Sequence, residues 1–484
     1  MGTGRWCACG AVWQDANTAR WGWPPVNDRA QQYDVIVVGA GPAGATTAYY
    51  LATGGKRVAL LEKAAFPRDK FCGDAWCAPA LDILEDMGVL QQLEAEGLVR
   101  DTTSGGFVSP SGESYISLGQ TAGAPGTRCY AIKRIICDER IARRAATVGA
   151  DLIEHANVAA AALADDGLWS VRCHDGRHFR SRMLVAADGA NSRLARSLGV
   201  VSGPPEGVAS RQYVKGGTHN FKAGGVLFYP TYVLPGYVAL FRHYNDDLDV
   251  GCYVIPGGAL NNDGLAHLYE REISRDPFLQ RALGPAPVFL ERPRIAPLRL
   301  GGVPRSTARQ FMAVGDAAGQ IDPLTGEGIH TGMIAGKLAA ETMHEQFARR
   351  DFSDAACATY HARWMAAFGS DFRFSAAGAR LVCRFPFLLD AANVVAQRTG
   401  DRFMVEFGAA MTGVKPKTTF VKPGVAVPVT LEILRQIVQQ KIVRRYGSEV
   451  EAYRARAVEG SGRATAFGNA GLIAATGAAA PVGR

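Results

Sequence analysis

Apolar positions run along this chain in three successive rhythms. Tyr33-Asp-Val-Ile-Val-Val38 is a short β-branched run that predicts a buried strand. The turn Gly39-Ala-Gly-Pro-Ala-Gly44 follows it. The small-residue stretch Ala45–Leu51 then predicts a helix, and Val58–Leu61, ending in Glu62, a second strand. Strand, glycine-rich turn, helix and strand make a βαβ unit. Met183–Ala187 and Phe311–Val314 predict two more strands of the parallel type, each running into an Asp-Gly or Gly-Asp pair. At about 102–127 and 200–300 the pattern changes. Val226–Tyr229, Tyr237–Phe241 and Val250–Ile255 are β-type runs punctuated by Gly, Pro, Asn and Asp, which predicts a mostly antiparallel sheet laid over the nucleotide-type domain. Residues 328–349 predict a helix. From 351 onward the period is helical, with apolar faces in Leu381–Val395 and Leu431–Val443.

These patterns divide the chain. Residues 1–31 read as an N-terminal extension holding four of the seven Trp and no apolar segment of the secretory kind; a transit peptide and a misassigned start both stay open. Residues 32–350 read as one discontinuous nucleotide-binding domain carrying the inserted sheet. Residues 351–455 read as a helical C-terminal region, and the Gly/Ala-rich 456–484 as a disordered tail. No run of about 18 apolar residues predicts a membrane span, and no internal repeat is present.

Composition narrows the class only modestly. At 484 residues, 48% hydrophobic and 20% charged, the chain suits two or three ordinary globular domains. The net charge of +8 fits an anionic membrane surface or a phosphorylated substrate, and equally a mildly basic soluble enzyme. Without a nucleic-acid motif or a long Lys/Arg run, no nucleic-acid partner is expected. The ten Cys, at 7, 9, 72, 77, 129, 137, 173, 252, 357 and 383, show no CxxC pair. That predicts a reduced cytoplasmic protein without a disulfide framework or metal module.

The chemistry lies in three motifs. In the first, Gly39 permits the tight turn, Gly41 a close approach of a pyrophosphate, and Gly44 close packing of helix on strand, with Pro42 and Ala43 between them. The helix N-terminus offers free N–H groups to phosphate, and Glu62, with Lys63 beside it, is placed for the adenosine ribose. The second is Ala187-Asp188-Gly189-Ala-Asn-Ser192-Arg193, and the third Val314-Gly315-Asp316-Ala-Ala-Gly319. Asp316 is expected to bond a ribityl hydroxyl and Gly315 to let the chain pass the flavin. Pro323, Gly326 and Gly328 lead into a helix at Ile329, whose positive end would face the flavin N1–C2=O edge. Together the three specify FAD rather than NAD.

Over roughly residues 33–345 this set resembles the flavoprotein superfamily of aromatic hydroxylases, flavin halogenases and geranylgeranyl reductases. Pro67-Arg68-Asp-Lys70-Phe-Cys72-Gly73 is similar to the PRxKxCG signature of the geranylgeranyl reductases. Tyr130–Asp138 looks like that family's Arg-x-x-Phe-Asp helix start, with Cys137 in place of Phe. The resemblance implies that Arg68, Cys72, Gly73 and Arg134 belong to the cofactor site. Gly319 stands where hydroxylases carry His, and the GWxWxIP halogenase motif is absent. The family's YxWxFP pocket strand matches Tyr237–Arg242, with Ala239 for Trp and Arg242 for Pro. That implies a wider pocket with an added charge, and a substrate other than a plain geranylgeranyl chain.

The implied fold is α/β: a Rossmann-type FAD-binding domain, an inserted antiparallel substrate sheet and a helical C-terminal region. The implied activity is FAD-dependent reduction of carbon–carbon double bonds in an isoprenoid or similar apolar substrate, with NADPH or a ferredoxin-like carrier as electron donor. An FAD-dependent monooxygenase and a non-enzymatic flavin-binding protein are the alternatives. Cys72 is either a redox or proton-relay thiol or a small residue packed on the flavin, and Tyr237 either a proton donor or pocket wall. His330 is either an acid or a capping or solvent-facing residue, and Cys77 reads as a bystander. The C-terminal helices either cap the core or make peripheral contact with a membrane. The oligomeric state is left open.

Overall fold

The computed structural model describes residues 31–117, 128–215, 223–234, 236–255, 268 and 273–439. The N-terminal extension before Gln31, parts of the segments 102–127 and 200–300 expected to form the inserted sheet, and all residues after 439 lie outside the described residues. The first sheet runs Thr307–Ala308, Phe311–Ala313, His178–Ala186, Gln31–Val38, Val58–Leu61 and Ala150–Ile153. Its central strands are parallel, with Val35 opposite both Met183 and Val58. A hairpin, Val158–Leu163 with Trp169–Cys173, adds antiparallel strands to the N-terminal half of His178–Ala186. That strand therefore begins five residues before the parallel-type run Met183–Ala187 suggested.

Successive side chains on a strand point to opposite faces, and both faces of this sheet are covered. Val35, Val37, Leu60, Met183 and Val185 pack under the helices Pro42–Thr53, Arg134–Thr147 and Ile329–Arg349. Ile36, Val38, Leu61, Leu184 and Ala186 pack on the other face against Trp169 and Phe179. Double coverage explains why these strands read as continuous apolar runs.

The second sheet runs Val288–Phe289, Gly207–Lys215, Leu248–Val254, Gly236–Arg242, Gly225–Phe228, Gly105–Val108 and Ser114–Ser117. It is antiparallel apart from the pairing of Gly225–Phe228 with Gly105–Val108. The helices Asp354–Arg384, Phe387–Thr399, Asp401–Met411 and Pro423–Val438 follow. The apolar stretch Leu381–Val395 is not one helix: it breaks at Phe385-Pro386, because proline cannot supply the N–H of a helix interior. Leu389, Val395, Phe403 and Val425 cap the second sheet through Phe107 and Tyr229. The last helix also leaves Val427, Leu431, Leu434 and Val438 exposed. No helix among the described residues is long and apolar enough to cross a membrane.

One contact carried no sequence signal. Gly332 and Gly336 lie one turn apart on the long helix after the third motif, against the first helix. A Cβ on Gly336 would stand 2.5 Å from Ala43 O and 2.8 Å from Thr47 Oγ1. One on Gly332 would stand 3.3 Å from Gly315 Cα and 3.4 Å from Ala43 Cβ. These glycines let the first and third motifs meet. Gly336→Ala is expected to lower stability by about 1–3 kcal/mol through overpacking. Gly408→Ala, inside Asp401–Met411 with nothing near its Cβ, is expected to raise it by up to about 1 kcal/mol through helix propensity. Denaturant midpoints test both, and equal shifts would contradict this packing.

Candidate functional site

The dinucleotide turn separates tight from open glycines. Gly39 has φ +104°, and a Cβ there would strike Ala187 O at 2.2 Å. A Cβ on Gly44 would lie 2.0 Å from Gly39 O. Gly41 differs: its φ of −74° suits any residue, and nothing lies within 4 Å of its Cβ position. The space beside Gly41 is thus free for a ligand. Pro42 occupies the first turn of the following helix, whose N-terminus has no side-chain cap, so its N–H groups are available to phosphate.

An ionic chain braces this turn. Glu62 Oε2 accepts from Ala40 N at 3.1 Å and pairs with Arg68 Nε at 3.1 Å, while Oε1 accepts from Ala64 N at 3.2 Å. Arg68 also donates to Asp138 Oδ2 at 2.8 Å and to Ala40 O at 3.1 Å. Arg134 grips the same Asp138 with two bonds of 2.6 and 2.9 Å. Burial acts to raise the Asp138 carboxyl, but Arg134 and Arg68 outweigh it and hold it below its ordinary value. Arg134 thus sits in the site as Asp138's partner, beside the Cys72 thiol. Lys63 is exposed on the rim.

The other motifs converge here. A Cβ on Gly315 (φ +62°) would lie 2.9 Å from Ala43 Cβ, so the third motif touches the first helix. Asp316 is partly exposed, 3.6 Å from Lys70 Nζ of the PRxKxCG segment. Asp188 accepts from Arg193 N at 3.1 Å, and its buried Oδ1 has no partner among the described residues. Gly189 has φ +86° and open space at its Cβ position. Pro323 O accepts from Tyr253 Oη at 2.9 Å. Gly326 packs on the Tyr253 ring and Gly328 on Ile321, and Ile329 begins a helix with no side-chain cap. Gly73 faces the Phe241 ring. An open glycine, two uncapped helix starts, an accessible Asp316 and an orphaned Asp188 oxygen fit a dinucleotide flavin.

Beside this cradle stands an apolar wall. Tyr237, Ala239 and Phe241 share one face of their strand, while Val238 and Leu240 enter the sheet's opposite core. The Tyr237 ring lies 5.8 Å from that of Tyr229 and 5.4 Å from that of Tyr253. Its hydroxyl donates to Thr325 O. Burial, then Tyr229 and Glu327, push the Tyr237 phenol well above its ordinary value. Burial likewise raises the Cys72 thiol, with Arg134 opposing, so Cys72 is not a ready thiolate. Arg242 corrects an expectation: it lies on the face opposite Tyr237 and pairs with Asp246 at 2.7 Å, so its charge does not enter the pocket.

Sequence reasoning missed Glu327. Its Oε1 accepts from Cys77 Sγ at 3.2 Å; Oε2 is buried without a hydrogen bond among the described residues, 3.7 Å from His330 Nδ1. Burial pushes this carboxyl up to about 7, against the opposing pull of Lys417 and Cys77. Cys77 is therefore a partner of this acid rather than a bystander. His330 is 5% exposed, so it does not face solvent; burial and Lys417 hold its imidazole down to about 4, and it is neutral at pH 7. The available signal was an acid between two glycines at a helix start, in an otherwise apolar stretch.

Residues 32–214 match the FAD binding domain family. The chain is 45% identical over 413 residues to conditioned medium factor receptor 1 of Dictyostelium discoideum, covering 83% of this chain and 81% of that one. It is 31% identical over 358 residues to digeranylgeranylglycerophospholipid reductase 1 of Methanopyrus kandleri, covering 70% and 88%. A geranylgeranyl bacteriochlorophyll reductase-like protein of Thermoplasma acidophilum has the same fold, with a TM-score of 0.65 at 21% identity over 75% of this chain and 91% of that one.

The contrast at the turn is testable. Gly41→Ala is expected to leave the apoprotein's melting temperature unchanged and to weaken FAD binding at least about tenfold, a loss near 1.4 kcal/mol. Flavin titration and thermal melts measure the two effects, and undiminished FAD affinity would remove the pyrophosphate from this turn.

Proposed function

The chain belongs to the geranylgeranyl reductase family of FAD-dependent oxidoreductases, and on that premise we propose that it reduces carbon–carbon double bonds in a long apolar, isoprenoid-type substrate. The observation that carries this reading is a protonatable buried carboxyl, Glu327, beside an apolar wall and the flavin motifs. Bound and reduced FAD supplies the hydride equivalent. NADPH or a ferredoxin-like carrier is the proposed donor of electrons. Tyr237, Ala239 and Phe241 would seat the alkene by apolar contact and exclude water. Glu327 would hold at Oε2 the proton that the second alkene carbon takes up, with the Cys77 thiol fixing Oε1. The exposed apolar side of Pro423–Val438 would meet the membrane that holds such a substrate.

A second reading draws on the 45% identical relative that bears a receptor's name. The chain would then bind FAD without turning over an alkene. Incubation of the reduced holoprotein with a polyprenyl lipid, with and without oxygen, followed by mass spectrometry, separates the readings. Reduction adds two hydrogens per double bond, a monooxygenase needs oxygen and adds an oxygen atom, and a binding protein yields no product.

The pH dependence follows from Glu327. Its pKa lies above the ordinary carboxyl value, so the proton is present below about pH 7 and lost above it. Substrate-dependent oxidation of the reduced flavin is expected to slow about tenfold per pH unit above that point. Glu327→Gln should lower the rate by roughly 10²–10⁴-fold and flatten this limb. An unchanged profile would remove Glu327 from the proton path.

A further inference from the structure

We propose that Asp74, His243 and Asp249 form a buried site for a first-row divalent cation, which pins the inserted sheet to the Cys72-Gly73-Asp74 segment. The three residues are each 0% exposed, and one ligand atom from each lies within 4.8 Å of the others. They come from separate places. Asp74 directly follows the PRxKxCG segment, with φ +52°, a conformation that non-glycine residues adopt rarely. His243 follows the pocket strand Gly236–Arg242, and Asp249 lies on the next strand.

The hydrogen bonding of this cluster is incomplete. Asp74 is the satisfied member: it accepts from Tyr213 Oη and, at 3.3 Å, from Arg134 N. Among the described residues, neither ring nitrogen of His243 and neither carboxylate oxygen of Asp249 has a hydrogen-bond partner, although all four atoms are buried. Buried polar groups without partners are costly and scarce in folded proteins. Here they face one another, with His243 Nε2 3.4 Å from Asp74 Oδ2.

The charges point the same way. Arg211 is fully buried and 4.0 Å from Asp74, but its guanidinium is spent on Asp69 at 2.5 Å and Glu291 at 3.2 Å. Lys133 is matched by Asp247 at 2.6 Å. When ionised, Asp69, Asp74, Asp249 and Glu291 face Arg211 and, at Glu291, the exposed Arg294 at 3.5 Å, and a divalent cation would offset the two remaining negative charges. One imidazole and two carboxylates suit zinc or manganese, whose ligands stand about 2.0–2.2 Å from the ion. The competing occupant is a proton, since burial and Asp74 push the Asp249 carboxyl well above its ordinary value.

Metal analysis of the FAD-loaded full chain, refolded with Zn²⁺ or Mn²⁺ and exhaustively dialysed, separates the two. The expected result is about one tightly held equivalent per chain, with a melting temperature that falls when a chelator strips it. His243→Gln and Asp249→Asn should each abolish that equivalent, while Asp246→Asn, at an exposed acid nearby, should not. Where a ligand variant does not fold, Co²⁺ loaded into the wild-type chain decides: visible d–d absorption of a low-symmetry nitrogen–oxygen site supports the proposal. Substoichiometric metal, metal indifferent to both ligand variants, or Asp249→Asn with wild-type stability and no metal in either chain would overturn it and leave the proton as occupant.

Discussion

The architecture of the site depends on a buried ionic chain whose members are almost all paired. Removing carboxylates and guanidinium groups from water is costly, and their attraction compensates only when every lone pair and proton finds a partner. Glu62, Arg68, Asp138 and Arg134 come close to that limit. Glu62 takes two backbone N–H groups and Arg68, and Asp138 takes three bonds from two arginines. The chain therefore links the end of the second strand, the PRxKxCG segment, the Arg134–Thr147 helix and the Ala40 turn in one arrangement. A satisfied network of this kind fixes geometry more than it adds stability. It places Cys72 and Gly73 between the dinucleotide turn and the pocket wall.

Two other polar groups gain their character from being incompletely satisfied. Glu327 has one oxygen bonded and one without a hydrogen bond among the described residues, and the same burial that raises its pKa is what would let it carry a proton near neutral pH. The Asp74–His243–Asp249 cluster lies where the PRxKxCG segment meets the sheet, and its free atoms face inward. The ionic chain orders the floor of the site, and the incomplete groups lie where, on the readings proposed above, a proton would be transferred and a cation would bind.

What the sequence made legible was local. Gly39, Gly41 and Gly44 act within one turn, so their roles follow from spacing, and the sheet strands follow from short apolar, β-branched runs bounded by turn residues. Longer-range roles left no such trace. Gly332 and Gly336 look like ordinary small residues in a helix until Ala43 and Thr47 are placed against them. Cys77 and Glu327 are 250 positions apart, and no spacing rule links them. His330 is kept out of solvent by the Gly413 turn, which lies outside every flavin motif. Arg242 reads as a pocket charge only if the strand's alternation is ignored. At Pro386, apolar periodicity on both sides hid a break that the proline itself marked.

The pocket strand and the acid turn are not independent parts. Tyr237 and Tyr253 are directly paired across neighbouring antiparallel strands. Their hydroxyls donate to Thr325 O and Pro323 O, two carbonyls of the segment that leads into Gly326-Glu327-Gly328. The Tyr253 ring also lies where a Cβ on Gly326 would fall. The direction of the Glu327 turn is thus set by a cross-strand tyrosine pair, not by the turn alone. A buried hydroxyl or carbonyl that loses its partner costs about 1–3 kcal/mol, so neither tyrosine can let go cheaply. The wall that would receive an alkene and the carboxyl that would protonate it are consequently held by the same two rings, and their separation is fixed before any ligand arrives.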